Sequence, residues 1–280
     1  MAVTALLALS LAWLYAAALK GLVAEWLSSA DASYGVVLAA VALVVVWRRR
    51  AAFALGPPVP GAAGPGAAVL LAGLVIYLIG QLGADVFVTR VSFVFVLTGL
   101  LWFLAGARAV RALAAPLVFL LIAIPLPALV VNAVTLPLQL VASRLGEATL
   151  SAAGVAVFRD GNLLELPSTT LEVAEACSGL RSIVSLAAIG GLLAWTERGW
   201  PRRALLVAAT LPIAIVMNGL RIAATGLACE AWGAGAASGP WHTFSGWVTF
   251  LVAVFALVAL QRAWPGGRAG DAWALQAARV

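Results

Sequence analysis

The chain has 280 residues, of which 64% are apolar and only 10% charged, and its mean hydropathy is +1.08. Soluble domains carry about a quarter charged residues, so a water-soluble fold is excluded. The net charge of +6 would suggest nucleic acid as a partner in a soluble protein, but the arginines gather at the ends of long apolar runs, which is the pattern of membrane spans and not of a nucleic-acid interface.

A spanning helix takes about 17–25 mostly apolar residues. The first run, residues 4–19, has no basic residue ahead of it and exceeds the roughly 7–15 residues of a cleaved signal's apolar segment, so it reads as a span that stays attached. Further spans are expected at 34–47, 67–82, 91–105 and 112–127, with a Gly/Pro-rich loop at 56–66 between the second and third. Residues 128–176 come next and do not read as a span. Asn132, Thr135, Gln139, Ser143 and Glu147 recur near the helical period and draw one polar stripe on an apolar helix, turned either to interfacial water or to a polar cleft. Asp160-Gly161 then separates two strand-like runs, the signature of a hairpin. A third extended run, 170–173, leads into Cys177. Three more spans follow at 179–195, 204–227 and 243–260, and the residues after Pro265 read as a tail.

The expected fold is therefore an all-α membrane protein of about eight transmembrane helices with a small helix and β-hairpin inserted before the sixth span. Its parts are five N-terminal spans (1–127), the insertion (128–176), a three-helix membrane region (177–264) and a tail (265–280). With the N-terminus inside, the inner connections hold Arg48, Arg49, Arg50, Arg108, Arg111, Arg198, Arg202 and Arg203, and the tail holds Arg262, Arg268 and Arg279. Arginine retained on the cytoplasmic side fixes orientation, so both termini are expected in the cytoplasm and the insertion outside.

That orientation brings three polar sites to the outer face: Glu175-Ala176-Cys177-Ser178-Gly179-Leu180-Arg181, Asn218-Gly219-Leu220-Arg221-Ile222, and His242 followed by Gly246. Acyl transfer needs an activated nucleophile, a base near neutral pH and a stabiliser for the oxyanion. A cysteine at a helix N-terminus near arginines favours its thiolate. His242 is the single histidine of the chain, and histidine alone titrates near neutrality without perturbation. Arg221 is a charge within an apolar span, costing about 2.5 kcal/mol or more, and such residues are functional by default. Arg181, four residues after Cys177, would stack on the same helical face. Taken singly, each has a plainer role: a buried thiol, a surface imidazole, an arginine snorkelling to headgroups. Their coincidence at the ends of three consecutive helices favours chemistry.

The segments Val173-Ala174-Glu175-Ala176-Cys177-Ser178-Gly179-Leu180-Arg181-Ser182, Met217-Asn218-Gly219-Leu220-Arg221-Ile222 and His242-Thr243-Phe244-Ser245-Gly246-Trp247 closely resemble the three signature motifs of the exosortase/archaeosortase family. Ile124-Pro125-Leu126-Pro127, and Trp26 with Asp31, resemble it too. Ser33-Tyr34 stands before Gly35 where many relatives carry histidine, which leaves His242 without a rival. The resemblance implies an enzyme that cleaves membrane-anchored proteins bearing a C-terminal sorting signal: a Pro-Glu-Pro-like motif, a transmembrane helix and a basic cluster. It implies Cys177 as nucleophile, Arg221 as oxyanion or thiolate stabiliser and His242 as general acid/base. No metal or organic cofactor is implied. Arg144, beside the stripe, and Arg159, in the hairpin turn, are expected readers of the motif's glutamate, with Arg181 and Asn218 as further substrate contacts. Three other readings compete: a rhomboid-like serine protease using Ser178, a transporter or scaffold using Arg221 as an anion site, and a disulfide between Cys177 and Cys229.

Overall fold

A computed structural model describes residues 2–29, 32–50, 63–173, 179–197, 199–237 and 239–263. The chain divides into two compact units, Met1–Pro127 and the residues from Ala128 onward.

The first unit holds α1 (Ala2–Ser28), α2 (Tyr34–Arg48), α3 (Ala63–Leu82), α4 (Val86–Ala112) and α5 (Ala114–Ile122). Asp85 starts α4 by accepting a hydrogen bond from the Val88 amide at 2.9 Å, the usual way to satisfy an orphan N–H at a helix start. Helices α3 and α4 meet backbone to backbone: a Cβ at Gly73 would lie 2.7 Å from the Val96 nitrogen, and one at Gly80 2.7 Å from the Thr89 nitrogen. Tyr15 is fully buried, bonded to the Ser92 hydroxyl at 2.8 Å and edge-on to Tyr77 and Phe93. Trp26 donates its indole N–H to the Ala123 carbonyl at 2.8 Å, and the backbone of Gly35 packs on the same indole.

The second unit begins with α6 (Ala128–Ala152), followed by β1 (Phe158–Asp160), β2 (Leu163–Glu165) and β3 (Thr170–Glu172). The strands form an antiparallel sheet in the order β1-β2-β3, and Gly161, at φ 62°, takes the left-handed turn position that its missing Cβ allows. Then come α7 (Leu180–Thr196), α8 (Trp200–Trp232), a 3-10 turn (Ala234–Ala237) and α9 (Gly239–Ala263). One face of the sheet packs on α6 and α8: Leu164, Leu166, Leu171 and Val173 close a core with Ala142, Leu150, Ile222 and Cys229. Cys229 is a free thiol at 0% exposure in that core. The competing disulfide reading finds no support in this free thiol, and Cys229 packs in the core.

Among the described residues, six helices are long and apolar enough to cross a membrane, and α2 and α7 are shorter apolar helices. The expected crossing at 112–127 holds only the nine-residue α5, which rises about 14 Å against an apolar layer of about 30 Å. Conversely α6, expected outside the apolar layer, has the length and composition to cross it. Nor does its polar stripe face water. Thr135, Gln139 and Ser143 are buried, and only Asn132 is exposed. Ser143 donates to the Gly161 carbonyl at 2.9 Å and Glu147 pairs with Arg159 at 2.7 Å, so the lower half of the stripe anchors the hairpin to the helix.

Candidate active site

All three sequence motifs fall in the second unit: the described part of the first reaches the start of α7, and the second and third lie on α8 and α9. These helices are joined at the end of α7 by Glu197, which is buried. It accepts a 2.7 Å hydrogen bond from the Gln261 amide of α9 and an ion pair at 3.7 Å from Arg202 of α8, while its carbonyl accepts from Arg203. A buried carboxylate is stable only when paired in this way.

At the start of α7, Gly179 sits at φ 82° and is buried. A side chain there would meet Asn218 of α8, with Cβ 3.0 Å from both Cγ and Nδ2. The first and second motifs therefore touch through a glycine and an asparagine, the latter only 6% exposed. Arg221 lies three residues further along α8, on the same helical face as Asn218, and is partly buried. Its guanidinium lies beside Gly246 of α9: a Cβ at that glycine would stand 3.7 Å from Cζ. The second and third motifs therefore also touch. Gly246 is about one helical turn after His242 along α9.

Cys177, Ser178 and Glu175 lie outside the described residues, as does Asp31; His242 falls within the first turn of α9, and its side chain is outside them too. The described part of α7 begins at Leu180 behind a left-handed Gly179. The expected stacking of Arg181 on Cys177 involves a residue outside the described ones. Arg181 is exposed in the first turn of α7, and Arg144 is exposed on α6. Arg159 is not in the hairpin turn but at the centre of β1, opposite Leu164. Its Nε donates to Glu147 at 2.7 Å and its Nη1 to the Gly161 carbonyl at 3.0 Å.

Sequence reasoning passed over Glu197 and the Gly179–Asn218 contact. For Glu197 the signal was available: an acidic residue among Arg198, Arg202 and Arg203 needs a reason. For the contact it was the shared design of two motifs, each setting a glycine beside its polar residues.

In comparison with known families, the model for transmembrane exosortases matches residues 26–259, a stretch that includes all three motifs. No curated protein and no solved structure matches the chain.

Proposed function

The chain belongs to the transmembrane exosortase family, and on that premise we propose that it is an integral-membrane cysteine transpeptidase or protease that removes C-terminal sorting signals from exported proteins. The reading puts it in the cytoplasmic membrane with both termini inside and its site on the outer face. One observation supports it most: Gly179 against Asn218 and Gly246 against Arg221 gather three motifs that are far apart in sequence.

In this scheme the Cys177 thiolate attacks the scissile carbonyl, and the carbonyl electrons move onto an oxyanion that the Arg221 guanidinium stabilises. The C–N bond then breaks as the His242 imidazolium gives its proton to the leaving amine, which leaves a thioester on Cys177. Water or an acceptor amine, with neutral His242 taking its proton, attacks the thioester and restores the thiolate. The substrate is a membrane-anchored protein with a Pro-Glu-Pro-like motif outside its last helix. Prolines keep such a segment extended and its carbonyls open.

The test is co-expression with a signal-bearing substrate, scoring cleavage and the mass of the new C-terminus. A free carboxylate identifies hydrolysis and an added mass identifies transfer to an acceptor. Cys177→Ala should abolish processing with insertion unchanged, while Ser178→Ala should retain it. The opposite pattern would establish the serine alternative.

A further inference from the structure

We infer that the first unit carries a second binding site, between α1, α4 and the end of α5, that takes a neutral carbonyl oxygen borne on an alkyl chain, as in the acyl ester of a membrane lipid. The observation behind it is Arg90. This side chain is only 8% exposed, and its Nη1 donates to Glu25 at 2.6 Å. Its Nε is buried and has no hydrogen-bond partner. A buried donor on a charged group is seldom left unmet, so an orphaned one calls for an acceptor.

Space for an acceptor borders the same side chain. Arg90 borders a cavity of about 50 Å³ whose walls include Leu19, Leu22, Phe93, Leu120 and Ile124. The volume admits water, but a buried water makes about three hydrogen bonds, and these mostly apolar walls offer few polar groups. The Tyr15 hydroxyl is engaged with Ser92 and the Trp26 indole with the Ala123 carbonyl. One unmet N–H in an apolar enclosure suits an oxygen carried on carbon. Glu25 already offsets the guanidinium charge, so the ligand need not be an anion, which sets a carbonyl ahead of a phosphate. Trp26 and Ile124, two residues of the sequence resemblance that the chemistry of the second unit does not use, both line this cavity.

The experiment reconstitutes the full chain in vesicles that mix diacyl phosphatidylglycerol with its dialkyl-ether counterpart, of equal headgroup and chain length. Lipid retained after extraction is counted by native mass spectrometry. The wild type should hold the ester over the ether lipid by about ten-fold, the worth of one net hydrogen bond. Two variants should abolish that preference. Ala18→Leu fills the cavity and leaves both residues of the ion pair in the chain, and Arg90→Lys keeps the charge for Glu25 but removes Nε. Equal retention of the two lipids by the wild type, or a preference that survives Ala18→Leu, overturns the site. Displacement of the ester lipid by inorganic phosphate overturns the assignment to a neutral carbonyl.

Discussion

Gly246 and Arg221 meet without a side chain between them: a methyl on Gly246 would stand 3.7 Å from the guanidinium carbon and 3.9 Å from Nε and Nη1. That is ordinary contact distance, so Gly246→Ala should process substrate within about two-fold of wild type. A branched side chain must push the guanidinium aside, and misplacing a catalytic group by about 1 Å costs on the order of 100-fold. Gly246→Leu should therefore lose most activity at unchanged protein level. Full activity in Gly246→Leu would detach Arg221 from the chemistry.

Gly179 is the stricter case. Its φ of 82° costs an L-residue roughly 1–2 kcal/mol, and a Cβ would also press on Asn218 at 3.0 Å. Gly179→Ala should lower the thermal midpoint in detergent and cut processing more than Gly246→Ala does. Asn218→Ala in the same background relieves the contact but not the backbone strain, so it should recover part of the thermal midpoint and none of the processing, Asn218 being itself an expected substrate contact.

Arginine and lysine separate two roles for position 221. An oxyanion site uses the planar fork of donors, and losing one such donor costs about 100–1000-fold in turnover. Arg221→Lys should show that loss in kcat with KM little changed. His242→Ala should lose about 100-fold or more, and its residual rate should no longer depend on pH near neutrality.

For recognition of the substrate's glutamate, the ion pair of Arg159 with Glu147 separates the two expected readers. With side chains 22% and 36% exposed, the pair contributes about 0.2–1 kcal/mol, and it fixes the guanidinium against α6. Arg159→Glu would face Glu147 with a like charge and should loosen the hairpin, seen as faster proteolysis near Asn162. Arg144 is exposed, so Arg144→Glu is the cleaner charge swap. It should lose a substrate with glutamate in its motif and gain one with lysine there. Normal processing of both substrates by Arg144→Glu would place recognition in helix–helix packing with the substrate's own span.

Orientation is checked with single cysteines in a chain lacking Cys177 and Cys229. A cysteine at Ala107 should be shielded from an impermeant thiol reagent in intact cells, and one at Ala153, exposed after α6, should react. Labelling at Ala107 before lysis would reverse the assignment.

Much of this architecture was legible because lipid imposes a simple rule, that every buried backbone group must be satisfied within its own helix. Long apolar runs therefore mark α1, α3, α4, α8 and α9. The hairpin at Gly161 was legible because Asp-Gly between two apolar runs has few other uses. The polar stripe of α6 misled, since periodicity shows which residues share a face and not what covers it. Ser143 and Glu147 face a sheet that the same sequence builds a dozen residues later. Arg90 escaped notice for a related reason. Counted by position, it is a polar residue at the edge of a span; only tertiary structure sets it against Glu25 and an apolar cavity. The motif residues stood out singly, but the glycine contacts that join them depend on helix crossings that spacing alone does not determine.

Gly66, Gly73 and Gly80 recur every seven residues along α3 and each abuts the backbone of α4. Between lipid-facing helices the hydrophobic effect contributes little, and close van der Waals approach is what holds them. Hydropathy and packing therefore rank one substitution in opposite order. Replacing Gly73 by alanine makes the segment more lipophilic and a better helix former, yet it forces the two backbones apart at their nearest point. Variation along this stripe is consequently limited by geometry: the most greasy and helix-prone side chains, welcome elsewhere on α3, are the ones this seam rejects.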